Sequence, residues 1–185
     1  MKPIQKVGLL LFAGGVQFVI MLVIAEAIYP GYSIAHNYIS DLGVWSRRSA
    51  YIFNPSVLIL GVLAVVAALI ARSVMPKAPS LLLLVSGIGA IGVGIFNEQV
   101  VIPHLAFAGM AFVGSGFAAF SLVQHLKRPF NYISAILGGS TLLAMVLLVT
   151  GNYLGIGVGG MERMVMYPAV TFAIGLGGYL MAEGT

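Results

Sequence analysis

Residues Tyr51–Ala71 read YIFNPSVLILGVLAVVAALIA, an apolar run without one charged side chain. Wound as a helix, a run of this length matches the roughly 30 Å hydrocarbon core of a bilayer, which takes about 20 residues to cross. Five more stretches of the same kind accompany it: Val7–Ala25, Ala78–Phe96, Val100–Val123, Tyr132–Thr150 and Met164–Met181. The composition agrees with a lipid solvent. Of 185 residues 60% are hydrophobic and only 8% charged, whereas a soluble domain carries roughly a quarter charged residues to cover its surface. The sequence therefore predicts an all-α, polytopic transmembrane bundle of six helices. Residues 1–185 are expected to form one such domain, with no length left for a separate soluble one.

The net charge of +4 does not point to nucleic acid, because no run of Lys or Arg exceeds two residues. It reads instead as membrane orientation. With the N- and C-termini in the cytoplasm, Lys2, Lys6, Arg72, Lys77, Lys127 and Arg128 lie inside, and Arg47, Arg48 and Arg163 outside. The expected location is the cell membrane, with membrane lipids as surroundings. Lys2, Lys6 and the Ala25-Glu26-Ala27 triplet resemble a secretory signal, but the apolar run between them is longer than a usual signal core, so a retained helix is expected. The absence of cysteine excludes disulfides, thiolate nucleophiles and Cys-type zinc sites.

The two inner connections are short, basic and proline-bearing. Pro30–Ser49 on the outer side is longer and contains Ile34, Ile39, Leu42, Val44 and Trp45, too apolar for a solvated loop. It is expected to fold down onto the bundle, as a re-entrant turn or a short interfacial helix, wherever protein satisfies its backbone. Trp45 and most tyrosines gather at the same end and suit an interfacial aromatic belt. Small residues recur at helix-packing spacing, at Ala111, Ser115 and Ala119, at Ala135 and Gly139, and at Ala169, Ala173 and Gly177. They predict close helix contacts, within the chain or in an oligomer or larger complex. Gln17, polar in mid-span, is expected to bond a neighbouring helix.

Nearly every residue capable of chemistry falls at the outer end: Glu26, His36, Asp41, Glu98, His104, Glu162 and Arg163. Charge beside hydrocarbon is costly unless paired, hydrated or turned inward, so these side chains need partners. One reading is a structural ion-pair network, for instance Glu162 or Asp41 against Arg163 or Arg47. The other is a site for a small molecule or lipid headgroup, with Asp41, Glu98 or Glu162 as acid or base, His104 as proton carrier and Arg163 as anion clamp. No metal motif is present, since Glu98 and His104 are six residues apart with Pro103 between them. A haem b held by His36 and His104 is the alternative cofactor chemistry, and an accessory role in a membrane complex the alternative without a site. Gly114-Ser115-Gly116 lacks the spacing of an intramembrane serine nucleophile, and no inverted repeat suggests a transporter.

Tyr32-Ser33-Ile34-Ala35-His36-Asn37-Tyr38-Ile39-Ser40-Asp41-Leu42-Gly43, followed by Asn54, His104-Leu105 and Gly160-Met161-Glu162-Arg163, resembles the Domain of Unknown Function 998 family of prokaryotic polytopic membrane proteins. The resemblance implies a shared bundle with these outer-side residues as its signature, and adds Asn54 to Glu26, His36 and Arg163 as candidate ligand-binding residues. It implies no activity.

Overall fold

The computed structural model describes residues 1–183. It contains six α-helices: α1 (Pro3–Ile28), α2 (Ala50–Ala71), α3 (Lys77–Ile95), α4 (Val101–Leu122), α5 (Phe130–Val149) and α6 (Gly157–Glu183), with no strand among the described residues. All six are long and apolar enough to cross a membrane, the architecture of a multi-pass membrane protein. Each helix packs on the next, α6 returns to α1, and α4 touches α6 across the middle, so the helices form a closed ring. The outward faces carry large apolar side chains. Leu81, Ile136 and Leu143 are each about 60% exposed, a sheath that water would penalise and hydrocarbon accepts.

Small residues draw the helices together, as their spacing predicts. A Cβ on Gly8 of α1 would stand 2.6 Å from the Gly177 carbonyl oxygen of α6, and one on Gly61 of α2 would stand 2.6 Å from the Ile91 nitrogen of α3. Gly89 lies against Ala111 between α3 and α4, and Gly116 against Gly138 between α4 and α5. Gln17 donates to the Ser56 carbonyl at 2.9 Å, joining α1 to α2.

α6 starts earlier than its hydropathy indicates, at Gly157 rather than near Met164. Glycines and the Glu162-Arg163 pair lower the apparent hydropathy of this stretch, yet it is helical because the long loop covers it and bonds its polar groups. Glu162 and Arg163 therefore sit inside α6, not ahead of it. α1 likewise runs on through Glu26 to Ile28.

The connection from Tyr29 to Ser49 folds over one end of the ring. Its central feature is a 3₁₀ turn, Ser40–Gly43, not an interfacial α-helix. Ile39 and Leu42 are buried among Phe18 and Leu22 of α1, Phe53 and Val57 of α2, and Met166 and Val170 of α6. Amides from two directions pin the turn. Asn54 Nδ2 of α2 and Asn97 Nδ2 beyond α3 both donate to the Gly43 carbonyl, at 2.9 and 3.3 Å. Gly43 must be glycine here, because a Cβ would lie 2.5 Å from Asn54 Oδ1.

Candidate functional site

The lid-like loop is held to α6 by a reciprocal set of bonds. The Gly159 N–H donates to the Ala35 carbonyl at 3.1 Å, and the Ile39 N–H donates to Glu162 Oε2. A backbone donor of the first helical turn and a backbone donor of the loop are thus satisfied across the same seam. Added Cβ atoms at Gly157 and Gly159 would run into the Ala35 and Asn37 carbonyls, so the seam closes only over glycine.

Arg163 fastens this seam from within. Its side chain is 4% exposed and ion-pairs with Glu26 of α1 at 2.6 Å. Nη2 also donates to the Tyr32 hydroxyl at 2.7 Å, while Nη1 donates to the carbonyls of Ile34 at 3.2 Å and Gly159 at 3.0 Å. Only Nε is without a protein partner. Burial pushes the Tyr32 phenol up to about 12 against the pull of the guanidinium, so Tyr32 stays neutral and donates onward to the Tyr38 carbonyl at 3.2 Å. Arg163 thus ties α1, the loop and α6 together. Its donors are taken by protein, which leaves little of an anion clamp.

The acidic residues assemble beside this clasp. Asn37 Nδ2 donates to Asp41 Oδ2 at 2.8 Å and Ser40 Oγ to Glu98 Oε2 at 2.9 Å. Glu98, in the α3–α4 connection, lies near enough to Asp41 to feel its charge. Burial, reinforced by Asp41, raises the Glu98 carboxyl to about 7, because a second charge in a half-desolvated pair is disfavoured. His104, in the first turn of α4, is buried and donates from Nδ1 to the Phe96 carbonyl, the two atoms 2.8 Å apart. A carbonyl can only accept, so Nδ1 carries the hydrogen of this bond.

Glu98, His104 and Glu162 open into a cavity of about 430 Å³, with Tyr38 and Ser40 at the same end. Burial also raises the Tyr38 phenol, which interacts with Tyr153. Below this polar end the cavity is apolar, running between Leu105, Ala108 and Phe112 of α4 and Met145, Leu148 and Val149 of α5. Leu105 and Val149 are among the exposed apolar residues, so this wall of the cavity borders the outer surface of the bundle. A smaller void deeper in the ring continues from it past Phe112 and Glu162 to Phe18 and Met166. The size and the apolar lining with a few convergent polar groups are those of a ligand pocket. Chemically the polar end offers hydrogen-bond acceptors and, in Glu98, a proton exchanged near neutrality.

The structure brings Glu98, His104 and Glu162 to one cavity and sets Asp41 behind Glu98. Glu26 and Arg163 form the clasp, Asn54 pins the 3₁₀ turn, and His36 is exposed on the loop, outside the cavity lining. Among the described residues no three His, Asp or Glu side chains gather as a metal-ligand set. Sequence reasoning missed Tyr32, Tyr38, Asn37 and Ser40, although all four lie in the Tyr32–Gly43 stretch it singled out. It also missed the α5 wall, for which no signal existed: Met145, Leu148 and Val149 look like any other lipid-facing residues.

The model of the protein family described as "Protein of unknown function (DUF998)" matches residues 12–179. The chain belongs to that family. Comparison with curated proteins and with solved structures gave no match.

Proposed function

We propose that this family member binds an amphiphilic small molecule or lipid, its headgroup held at the polar end of the bundle by Glu98, His104 and Glu162. Its tail lies in the groove between α4 and α5. The protein resides in the cell membrane with both termini in the cytoplasm, which the distribution of Lys and Arg supports, so the site faces outward. The observation that carries the reading is the form of the cavity: polar groups collected at one end, apolar walls below, and wall residues Leu105 and Val149 that also reach the exposed apolar surface. A solute taken from water would not need the apolar channel.

A haem between His36 and His104 has less support, since His36 is exposed on the loop, outside the cavity that His104 lines. The accessory-subunit reading gains nothing from Gly8, Gly61, Gly89, Gly116 and Gly177, whose faces are occupied by contacts within the ring.

Photo-crosslinking tests the proposal. A twelve-carbon amphiphile bearing a diazirine on its chain, added to the purified protein in maltoside micelles, should label Leu105–Phe112 and Met145–Val149. Ala108→Phe, which fills the groove, should abolish that labelling. Label spread equally over outward residues such as Ile136 and Leu143, and unchanged by Ala108→Phe, would rule the site out.

A further inference from the structure

The hydrogen-bonding chemistry of the cavity's polar end is one-sided. Glu98 and Glu162 are the only acidic or basic side chains apart from His104 in its lining, and no Lys or Arg contributes to it. The nearby cations are engaged elsewhere. Arg163 is held by Glu26, Tyr32 and two backbone carbonyls, and Arg47 stacks over the Tyr29 ring at 4.8 Å. His104 is 8% exposed, and its Nδ1 is bound to the Phe96 carbonyl, so Nε2 is the ring nitrogen left for the cavity that this side chain lines. Ser40 has already given its hydroxyl hydrogen to Glu98. Acceptors thus line this end from the α3–α4 connection, α4 and α6, and once Glu98 has lost its proton the Tyr38 hydroxyl is the one hydroxyl donor left among the described lining residues. A carboxylate or phosphate headgroup entering here would meet like charge and leave these acceptors without donors, a cost of about 1–3 kcal/mol for each group stranded. A primary ammonium brings three donors, no acceptor and the opposite charge.

We propose that the cavity selects the protonated primary amine of a long-chain amphiphile, with the nitrogen between Glu98, Glu162 and His104 Nε2 and the alkyl chain between α4 and α5. This rests on the amphiphile reading above and narrows it to one headgroup chemistry. The groups facing Glu98 are Asp41 and Tyr38 from the loop, His104 from α4 and Glu162 from α6. With the Glu98 carboxyl at about 7 and an alkylammonium near 10, like Lys, the pair becomes fully charged as pH rises from 6 to 8. Amine binding strengthens over that interval.

The test compares dodecylamine, dodecanol and dodecyl phosphate at equal mole fraction in maltoside micelles. Occupancy of the full chain is read by native mass spectrometry at pH 8 and pH 6. Dodecylamine should bind about tenfold or more tightly than dodecanol, which corresponds to at least about 1.4 kcal/mol, and dodecyl phosphate should bind weakest. Combined Glu98→Gln and Glu162→Gln should bring the amine down to the alcohol's affinity. The glutamine side-chain oxygens still accept from Ser40 and the Ile39 N–H, so the loop stays docked, and the wild-type comparison alone decides even if the variant does not fold. Alcohol or phosphate binding as tightly as the amine overturns the amine assignment and leaves the amphiphile reading standing. Failure of all three to bind, or binding of all three untouched by Ala108→Phe, overturns both.

Discussion

Arg163 is 4% exposed and its Glu26 partner 18% exposed, at 2.6 Å, a buried tie between α1 and α6 from which the guanidinium also reaches Tyr32 and Ile34 of the long loop. Arg163→Met removes the guanidinium and leaves Glu26 with a partly buried charge, the Tyr32 hydroxyl without its donor, and the Ile34 carbonyl unbonded. Stranding one member of a buried pair costs about 3–5 kcal/mol. Glu26→Leu strands the guanidinium instead and belongs in the same range. Replacing both at once removes both charges, and apolar replacements of buried pairs are often nearly neutral. The double variant should therefore lose only about 1–3 kcal/mol, from the unpaired Tyr32 and Ile34 groups. A double-mutant cycle by unfolding in SDS–maltoside mixed micelles should give a coupling on the order of 3 kcal/mol or more. Proteolysis within residues 30–38 should accelerate in both single variants, because the loop loses its tether to α6. Additivity to within about 0.5 kcal/mol, or a loop no more cleavable than in the wild type, would refute the clasp.

Glu98 gives a prediction whose sign follows from its raised carboxyl. The folded state holds that proton up to about 7 instead of 4.5, so this contribution to stability is full below about 4.5 and disappears as pH climbs through about 7. Glu98→Gln should then match the wild type in melting temperature near pH 4.5 and exceed it at pH 8. The gain should be about 1–2 kcal/mol once the full shift is discounted for a half-exposed group; an equal difference at both pH values contradicts the assignment. Gly159→Ala drives a Cβ into the Asn37 and Ile34 carbonyls, whereas Gly178→Ala meets nothing within 4 Å. The first should free the loop and lower the melting temperature, and the second should leave it unchanged or raise it, since Ala favours a helix over Gly by about 1 kcal/mol. Similar behaviour of the two would count against the seam.

The six spans were legible because hydrocarbon imposes one requirement on every residue it touches, and Tyr51–Ala71 meets it without a single charged side chain. The start of α6 was not, because Gly157–Arg163 is helical only by virtue of the loop that covers it. The site divides along the same line. That Glu98, His104 and Glu162 need partners is a local fact about charge beside lipid, and it pointed to the end of the bundle where these side chains line one cavity. That Arg163 closes on Glu26, 137 residues away, depends on the ring returning α6 to α1, and no spacing in the sequence encodes that. The α5 wall was invisible for the opposite reason: a methionine, a leucine and a valine carry the same signature facing a cavity as facing lipid.

The chain contains no cysteine, so a single Ala108→Cys thiol reports on the groove without background. The decisive measurement is its rate of modification by N-ethylmaleimide with and without saturating dodecylamine, against Leu143→Cys on the outward face of α5 as control. The thiol at position 108 should react and the amphiphile should protect it, while the control is unaffected. A position 108 thiol that never reacts, or that reacts equally fast with the amphiphile present, contradicts the amphiphile reading.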